Sequence, residues 1–396
     1  MKKQPVILFV FNIMHYCSSE LFLKQVVILS RHGVRSPLSK LLPVITPKAW
    51  PRFDAIPGEL TAKGALVEGY MGEYFAQWLR KEGLLKDPCP KYDIFYPYAN
   101  NKQRTIASAQ AFADKAFPHC NIAIHHVKGN DLDYTFNPVI HNVNDDFKDR
   151  LKREMIDKLA KTDVRAGLAL LQNILDYKNS EYCVQNKKCD LVNDKTEIED
   201  LVNGEEPELE GPLHIGNGAV DAFKMEYYSG LPMSDVAWGQ ITENEQWEHL
   251  MAINIAYHDI RFNTTDLAIN IATPLVVYLK KSFSHYKPSV SLLMGHDANL
   301  FSVLCSLNFV DYKLRNQFEK APVGGKLVFQ KWFDNHNNRY LLKTEYIYQS
   351  HLQIRDGIKL SLESPPQIMT MELNDCPIND NGYCLWDDFI KILDKF

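Results

Sequence analysis

The chain has 396 residues, of which 45% are hydrophobic and 23% are charged, so it can bury the core of one large domain or two intermediate ones. Its net charge of −5 at pH 7 argues against a nucleic-acid-binding protein, because such a domain is usually basic. Any anion site must therefore be a local concentration of positive charge.

The first residues have the layout of a secretory signal peptide. Two lysines precede an apolar stretch over residues 6–14, and smaller residues follow it. Asn12 interrupts the apolar part, and a buried N-terminal strand is the alternative interpretation. No stretch approaches the ~18 apolar residues of a membrane span, so we expect no membrane partner. We predict a signal peptide over residues 1–19 and a periplasmic protein.

The cysteines indicate an oxidising compartment. If Cys17 leaves with the signal peptide, seven of the eight cysteines remain. Two pairs flanked by turn residues are typical of small disulfide loops, and a third pair would close a longer one: Cys183–Cys189, Cys376–Cys384 and Cys89–Cys120. Cys305 lies in an apolar stretch and is predicted to be a buried free thiol. A metal site is the alternative, but no Cys-x-x-Cys motif supports it.

Strands and helices alternate in the first part of the chain. Residues 26–30 form a continuous apolar run, typical of a strand in a parallel sheet that is covered on both faces. Residues 60–85 have helical spacing, with Thr61 as the N-cap. A second strand over 92–98 and a helix over 103–117 follow, which indicates an α/β domain. The predicted apolar face of the first helix consists of Leu66, Tyr70, Tyr74, Phe75 and Trp78.

From about residue 145 to 270 the pattern changes to amphipathic helices. Within it, the stretch 190–210 carries nine acidic residues and one lysine and is predicted to be a solvated face or loop. The α/β pattern resumes at 290–307, and residues 324–349 are typical of an antiparallel hairpin. We therefore predict an α/β domain over 20–144 and 271–396, with a smaller α-helical domain inserted over 145–270.

Charged residues follow three of the predicted strands. They are Arg31, His32 and Arg35 after the first strand, Arg104 after the second, and His296 with Asp297 after the third. In an α/β sheet, sites form just beyond the carboxyl ends of strands. We therefore expect these side chains to lie together.

This set of residue types matches the needs of phosphoryl transfer. Arginine forks bind phosphate oxygens, and helix N-termini add N–H donors. An imidazole nitrogen can attack phosphorus, and a carboxylic acid can protonate the departing oxygen. Each piece alone has another interpretation: the His-Asp pair can be a helix N-cap, and Arg104 an ordinary ion-pair residue. The combination at three strand ends is far more specific.

The segment RHGVRSP matches the RHGxRxP signature of the histidine acid phosphatases in full, and GHD matches their second signature. Within that family the chain resembles most the bacterial periplasmic glucose-1-phosphatases, relatives of the periplasmic phytases, in segments such as PVGGKLVFQKW and ELNDCPINDNGYC. The resemblance implies a phosphoglycerate-mutase-like α/β domain with a smaller helical domain, a substrate cleft between them, and no metal or organic cofactor. The cysteine spacing also resembles that group, which supports the three pairs above.

Carried over by position, the resemblance implies a role for each charged residue. His32 would be the nucleophile and Asp297 the proton donor. The phosphate would be held by Arg31, Arg35, Arg104 and His296. Asp221 and Glu226 could reach a sugar hydroxyl, but structural roles are expected for both.

The residue after the RHGxRxP motif bears on the substrate. Leu38 offers no hydrogen bond to a second phosphate group, which favours a small monophosphate such as glucose 1-phosphate over phytate. Lys40 would weaken this argument if it reached the cleft. A phytase is therefore the alternative, and a mutase-like enzyme and a sugar-phosphate-binding protein without turnover are the rivals. We expect a small phosphorylated substrate, no nucleic acid, and a monomer or homodimer.

Overall fold

The computed structural model describes residues 21–129, 131–284 and 288–396, so the predicted signal peptide lies outside the described residues. The helices are α1 (Ala62–Lys81), α2 (Gln103–Ala116), α3 (Asp145–Ala160), α4 (Arg165–Ile174), α5 (Glu181–Asn186), α6 (Pro212–Tyr228), α7 (Asn244–Phe262), α8 (Thr265–Ser282), α9 (Asp297–Ser306), α10 (His351–Asp356) and α11 (Trp386–Leu393). The strands are β1 (Leu21–Arg31), β2 (Phe95–Ala99), β3 (Glu197–Ile198), β4 (Leu209–Glu210), β5 (Val290–Gly295), β6 (Lys326–Asp334), β7 (Arg339–Tyr348), β8 (Gln367–Met371) and β9 (Cys384–Leu385).

The central sheet is mixed rather than purely parallel. Within the described residues it has seven strands in the order β2-β5-β1-β6-β7-β8, with β9 paired to β7. Strand β1 runs parallel to β5, and β5 runs parallel to β2. On its other side β1 pairs antiparallel with β6, which forms the predicted hairpin with β7. The carboxyl ends of β2, β5 and β1 therefore lie side by side at one edge of the sheet.

Strand β1 is longer than the predicted 26–30 and is covered on both faces, as predicted. Val26 and Ile28 belong to a core that the sheet shares with α1 and α2. Val27 and Leu29 point to the other face, into a larger core that includes residues of α6, α7 and α9. The alternation of side chains along a strand thus places residues 26–29 alternately in the two cores.

Helix α1 begins as predicted, but its buried face differs from the prediction. Thr61 is the N-cap, and its side chain accepts a hydrogen bond from the Gly64 N–H. Leu66 is 42% exposed, so its place on the apolar face was wrong. A Cβ atom at Gly72 would lie 2.1 Å from the carbonyl oxygen of Phe112, so Gly72 faces α2. This close backbone contact fixes the rotation of the helix and leaves Leu66 outside.

Between α2 and α8 the chain is mainly helical. The predicted run of amphipathic helices begins with two separate helices, since α3 ends at Ala160 and α4 begins at Arg165. The acidic stretch is not a simple loop, because it includes the two-stranded β3–β4 pair. Helix α8 runs through residue 270, where the sequence placed a domain boundary. The division into an α/β and a helical domain stays a prediction.

Three disulfides join Cys89–Cys120, Cys183–Cys189 and Cys376–Cys384, which are the predicted pairs. Cys305 carries a free thiol, but it is half-buried rather than buried. The disulfides fit a protein that folds in an oxidising compartment outside the cytoplasm. Among the described residues, no helix is both long and apolar enough to cross a membrane.

Candidate functional site

The carboxyl ends of β1, β5 and β2 bring the predicted residues together. Arg31 pairs in register with Gly295, and the N–H of His32 donates to the Gly295 carbonyl oxygen at 3.0 Å. The N–H of Asn100, just after β2, donates to the carbonyl oxygen of Met294 at 3.0 Å. Main-chain hydrogen bonds between neighbouring strands therefore fix the starting point of each segment that carries a predicted site residue.

A cleft of about 660 Å³ opens at this edge of the sheet. One side, here called the sheet wall, consists of His32, Arg35, Arg104, His296 and Asp297. The opposite side, here called the helical wall, includes His214 and Asn217 of α6, Tyr257, His258 and Arg261 of α7, and Glu206 and Glu208 before β4. Arg31 is 1% exposed and does not line the cleft, so it lies behind the sheet wall.

The tautomer of His32 follows from its surroundings. Nδ1 lies 2.8 Å from the carbonyl oxygen of Gly33, which can only accept, so Nδ1 carries the proton. In the neutral ring Nε2 is then unprotonated. Burial, and after it the positive charges of Arg104 and Arg31, hold the pKa of His32 well below the usual range of histidine. The ring is therefore neutral, with a free lone pair on Nε2.

Gly33 is needed for close approach rather than for an unusual backbone angle. Its backbone is not in the left-handed region, whereas a Cβ atom there would lie 3.1 Å from the carbonyl oxygen of Gly64. The N–H of Gly33 donates to Ser108 Oγ at 2.9 Å, and Ser108 donates to the carbonyl oxygen of Arg104 at 2.7 Å. This contact ties the segment after β1 to the helix that carries Arg104.

Arg31 is held by two carboxylates behind the sheet wall. Its Nη1 donates to Glu319 Oε2 at 2.6 Å and to the carbonyl oxygen of Ala321 at 2.7 Å. Its Nη2 forms an ion pair with Asp297 Oδ2 at 2.9 Å. Burial opposes the charge, but Asp297 and Glu319 outweigh it and raise the pKa of Arg31. Arg31, the chain neighbour of His32, is thus a permanent cation that also fixes Asp297.

Arg35 points into the cleft and is braced from behind by Asp221. Arg35 Nη1 donates to Asp221 Oδ2 at 2.9 Å, and Lys224 lies 3.6 Å from the other carboxylate oxygen. Burial opposes ionisation of Asp221, but Arg35 and Lys224 lower its pKa. Glu226 accepts the N–H of Ala237 at 2.9 Å, and burial raises its pKa to about 8. Both acids thus make structural contacts, as the sequence led us to expect.

His296 and Arg104 form a second pair on the sheet wall. His296 Nε2 lies 3.0 Å from Asn100 Oδ1 and donates to it, which leaves Nδ1 as an acceptor for Arg104 Nη2 at 3.4 Å. Burial and the charge of Arg104 hold the pKa of His296 well below the histidine range. Burial and the charge of Arg35 lower the pKa of Arg104 to about 10. The crowding of cations favours a bound anion between them.

Asp297 is the first residue of α9. Its Oδ1 accepts the N–H of Ala298 at 2.9 Å, and its Oδ2 lies 2.9 Å from Arg31 and 3.4 Å from His258 Nε2. Burial opposes ionisation, but Arg31 and His258 hold the pKa of Asp297 well below the usual carboxylate range. In the unliganded protein Asp297 is therefore ionised.

The helical wall carries residues that the sequence reasoning missed. Arg261 forms ion pairs with Glu208 at 2.6 Å and with Glu206 at 3.3 Å. The acidic stretch therefore contributes Glu206 and Glu208 to the cleft, a role that the prediction of a solvated face or loop did not include. His258 and Arg261 are three residues apart and lie on one face of α7, and this spacing could have identified them as a pair. Glu319 and Asn100 lie in loops without a comparable signal.

Leu38 lines the cleft, as predicted, and is 44% exposed. Lys40 and Lys102 line the same cleft, so the condition that would weaken the argument from Leu38 is met. Within the described ranges, no group of three or more histidine, cysteine or acidic side chains is arranged to hold a metal ion.

Comparison with known proteins agrees with this geometry. Residues 22–346 match the model of the histidine phosphatase superfamily (branch 2). The chain is 41% identical to the glucose-1-phosphatase of Salmonella typhimurium, over 94% of this chain and 92% of that protein. It is 40% identical to the glucose-1-phosphatase of Providencia rettgeri, over 95% and 92% of the two chains.

A solved structure supports the same relationship. The apo form of Hafnia alvei phytase superposes with a TM-score of 0.86 at 28% identity, covering 95% of this chain and 97% of that chain. The confirmed fold, the convergence of both signature segments at one sheet edge and the near full-length sequence similarity all lead to one assignment. The chain belongs to branch 2 of the histidine phosphatase superfamily.

Proposed function

We propose that this protein is an acid phosphomonoesterase that hydrolyses small sugar phosphates such as glucose 1-phosphate through a phosphohistidine on His32. The observation that carries the proposal is the state of His32. Its Nδ1 donates to the Gly33 carbonyl oxygen, and burial together with the neighbouring cations lowers its pKa and keeps the ring neutral. The proton-free nitrogen of the His32 ring, Nε2, therefore belongs to a side chain that lines the cleft together with Arg35 and Arg104.

In the first step His32 Nε2 attacks phosphorus in line with the ester oxygen. The N–P bond forms, the P–O ester bond breaks, and Asp297 gives its proton to the departing oxygen. Arg35 and Arg104 hold the phosphate oxygens, His296 orients Arg104 by accepting from its Nη2, and Arg31 stabilises the charge from behind the sheet wall. Fixed positive charges lower the barrier because charge on the phosphoryl oxygens is neutralised without reorganisation. In the second step Asp297 takes a proton from water, which attacks phosphorus and releases inorganic phosphate.

Asp297 must be protonated to act as an acid, although Arg31 keeps it ionised in the unliganded protein. The bound phosphate ester resolves this conflict. Its negative charge partly neutralises the arginines and adds a like charge beside the carboxylate, and both effects raise the pKa of Asp297. Acid catalysis by Asp297 is therefore a property of the complex, and mildly acidic conditions favour it.

The named relatives at 40–41% identity support glucose 1-phosphate as a substrate. The helical wall supports a small ligand as well, because Glu206 and Glu208 face Arg261 and offset its charge. A polyphosphate would meet these carboxylates unless they moved. Lys40 and Lys102 favour the alternative, a phytase, since they add positive charge to the cleft. We also propose a periplasmic location with a signal peptide over residues 1–19, which the three disulfides support.

The test is kcat/KM for glucose 1-phosphate and for phytate, measured at one mildly acidic pH. We expect a clear advantage for glucose 1-phosphate, and a clear advantage for phytate would make the protein a phytase. Binding without release of inorganic phosphate would identify a sugar-phosphate-binding protein instead. Exchange between sugar-phosphate isomers without free phosphate would identify a mutase.

A further inference from the structure

His258 is the residue of the helical wall that contacts the reacting groups of the sheet wall. Its Nε2 lies 3.4 Å from Asp297 Oδ2, and its side chain is 11% exposed. Its ring stacks on Phe301, one turn after Asp297 on α9, with centroids 5.4 Å apart and an interplanar angle of 17°. The imidazole is therefore held against the carboxylate by the same helix that carries it.

The hydrogen bonds of His258 determine where its proton lies. Nδ1 is 2.8 Å from the carbonyl oxygen of Asn254, so Nδ1 is protonated. A neutral ring would then turn the lone pair of Nε2 towards a carboxylate oxygen, and two acceptors would face each other. A second proton, on Nε2, converts this repulsion into an ion pair with Asp297 Oδ2.

Several other charged or titratable groups surround this pair. They are Arg31 and His32 at the end of β1, Arg104 on α2, His214 on α6, Tyr257 and Arg261 on α7, His296 before α9, and Glu206 and Glu208 before β4. The two glutamates are engaged by Arg261, which is a permanent cation. Asp297 is thus the carboxylate in direct contact with His258.

We propose that His258 is a positioning residue that stores the proton which Asp297 delivers, an inference that rests on the phosphohistidine mechanism proposed above. When the phosphate ester binds, the Nε2–H bond of His258 breaks and an O–H bond forms on Asp297. Asp297 then protonates the departing oxygen. In the hydrolysis step Asp297 takes a proton from water and returns it to His258. The sum is ester plus water to alcohol plus phosphate, with both side chains restored.

The test is His258→Gln, which keeps a hydrogen-bond donor of similar length beside Asp297 but cannot hold an exchangeable extra proton. We expect kcat for glucose 1-phosphate to fall about 10- to 100-fold, in the lower range of losses for acid–base residues. For p-nitrophenyl phosphate, whose leaving group needs no proton, we expect a change within about threefold. A merely structural role would lower both values together. His249→Gln is the matched control, because His249 lies on the same helix and pairs with Glu245 at 3.6 Å.

Chemical rescue provides a second measurement. Free imidazole added to His258→Ala should restore turnover of glucose 1-phosphate and leave p-nitrophenyl phosphate unchanged. If the alanine variant does not fold, His258→Gln alone decides the question. Equal losses on both substrates in His258→Gln, or no loss on either, would overturn the role of His258 while wild-type turnover still supports the proposed function. Absence of turnover in the wild-type protein would overturn both.

Discussion

The two walls of the cleft are built in different ways. The segments of the sheet wall follow β1, β5 and β2 and are fixed by main-chain hydrogen bonds, such as the 2.9 Å bond from the Gly324 N–H to the carbonyl oxygen of His32. The helical wall is fixed mainly by side chains, such as the ion pairs between Arg261 and the two glutamates. Rigid strand ends suit the phosphoryl group, which is the same in every ester. Side chains on the helices of the helical wall can be changed without moving these strand ends.

The walls also differ in charge. The sheet wall gathers Arg35 and Arg104 in front of Arg31, and the acids that balance them lie behind or beside them. On the helical wall, Glu206 and Glu208 offset Arg261 within the cleft itself. We infer that the sheet wall supplies catalysis and that the helical wall supplies protons and substrate choice. Substitutions on the two walls should therefore have different kinetic signatures.

The largest effect should come from the nucleophile on the sheet wall. His32→Ala removes the proposed nucleophile, so we expect kcat to fall by more than about a thousandfold on every substrate. Inorganic phosphate release is the measurement, with thermal unfolding as the check on folding. Retention of more than about a thousandth of wild-type kcat would argue that another group attacks phosphorus.

Asp297 should show a loss that depends on the leaving group. Asp297→Asn keeps the shape but cannot donate the proton, so we expect kcat for glucose 1-phosphate to fall about 10²- to 10⁴-fold. The loss on p-nitrophenyl phosphate should be much smaller, because its phenolate leaves unaided. Parallel measurements on the two substrates test this. Equal losses would mean that Asp297 only positions Arg31.

Glu319 should affect stability through the buried charges behind the sheet wall. Glu319→Gln leaves Arg31 and Lys224 without the carboxylate that both contact at 2.6 Å, which should cost about 3–5 kcal/mol of unfolding free energy. Denaturant titration measures the loss, and Glu245→Gln, an exposed acid on α7, is the control. A loss no larger than that of the control would show that the ion pairs of Glu319 with Arg31 and Lys224 do not stabilise the fold.

The pH dependence of that stability has a definite sign. Burial opposes ionisation of Glu319, but Lys224 and Arg31 lower its pKa in the folded protein. The unfolded chain therefore binds more protons in that pH range, so stability rises with pH there. The contribution of Glu319 is complete above the usual glutamate range and is lost as pH falls through the folded-state pKa. The difference in unfolding free energy between wild type and Glu319→Gln should therefore shrink as the pH falls through that range.

The smallest effect should come from two residues of the helical wall, Glu206 and Glu208. The double variant Glu206→Gln and Glu208→Gln removes two negative charges beside Arg261. The value of kcat/KM for phytate should therefore rise relative to that for glucose 1-phosphate. We expect the ratio of kcat/KM values to shift about fivefold towards phytate, corresponding to about 1 kcal/mol for a charge interaction screened by water. Asp200→Asn, an exposed acid paired with Lys152, is the control. An unchanged ratio would argue that these acids do not influence substrate choice.

The sheet wall could be predicted from the sequence because its residues follow strands that the apolar pattern reveals. The rule that sites form at strand ends then brings distant segments together. The sequence could not predict that Arg31 lies behind the cleft. That position depends on hydrogen bonds from Arg31 to Glu319 and Ala321, which are distant in sequence. The rotation of α1 about its axis could not be predicted either, because it depends on the contact of Gly72 with Phe112 of α2. His258 became significant only when α7 packed beside α9.

The most direct test of the account is to trap the covalent intermediate. Wild-type protein and Asp297→Asn would be mixed with radiolabelled p-nitrophenyl phosphate, quenched in alkali within milliseconds and digested for peptide mapping. We predict an acid-labile, alkali-stable phosphate on Nε2 of His32, absent from His32→Ala. Rapid phosphate release without any labelled peptide, or a label on another residue or on Nδ1, would contradict the central claim.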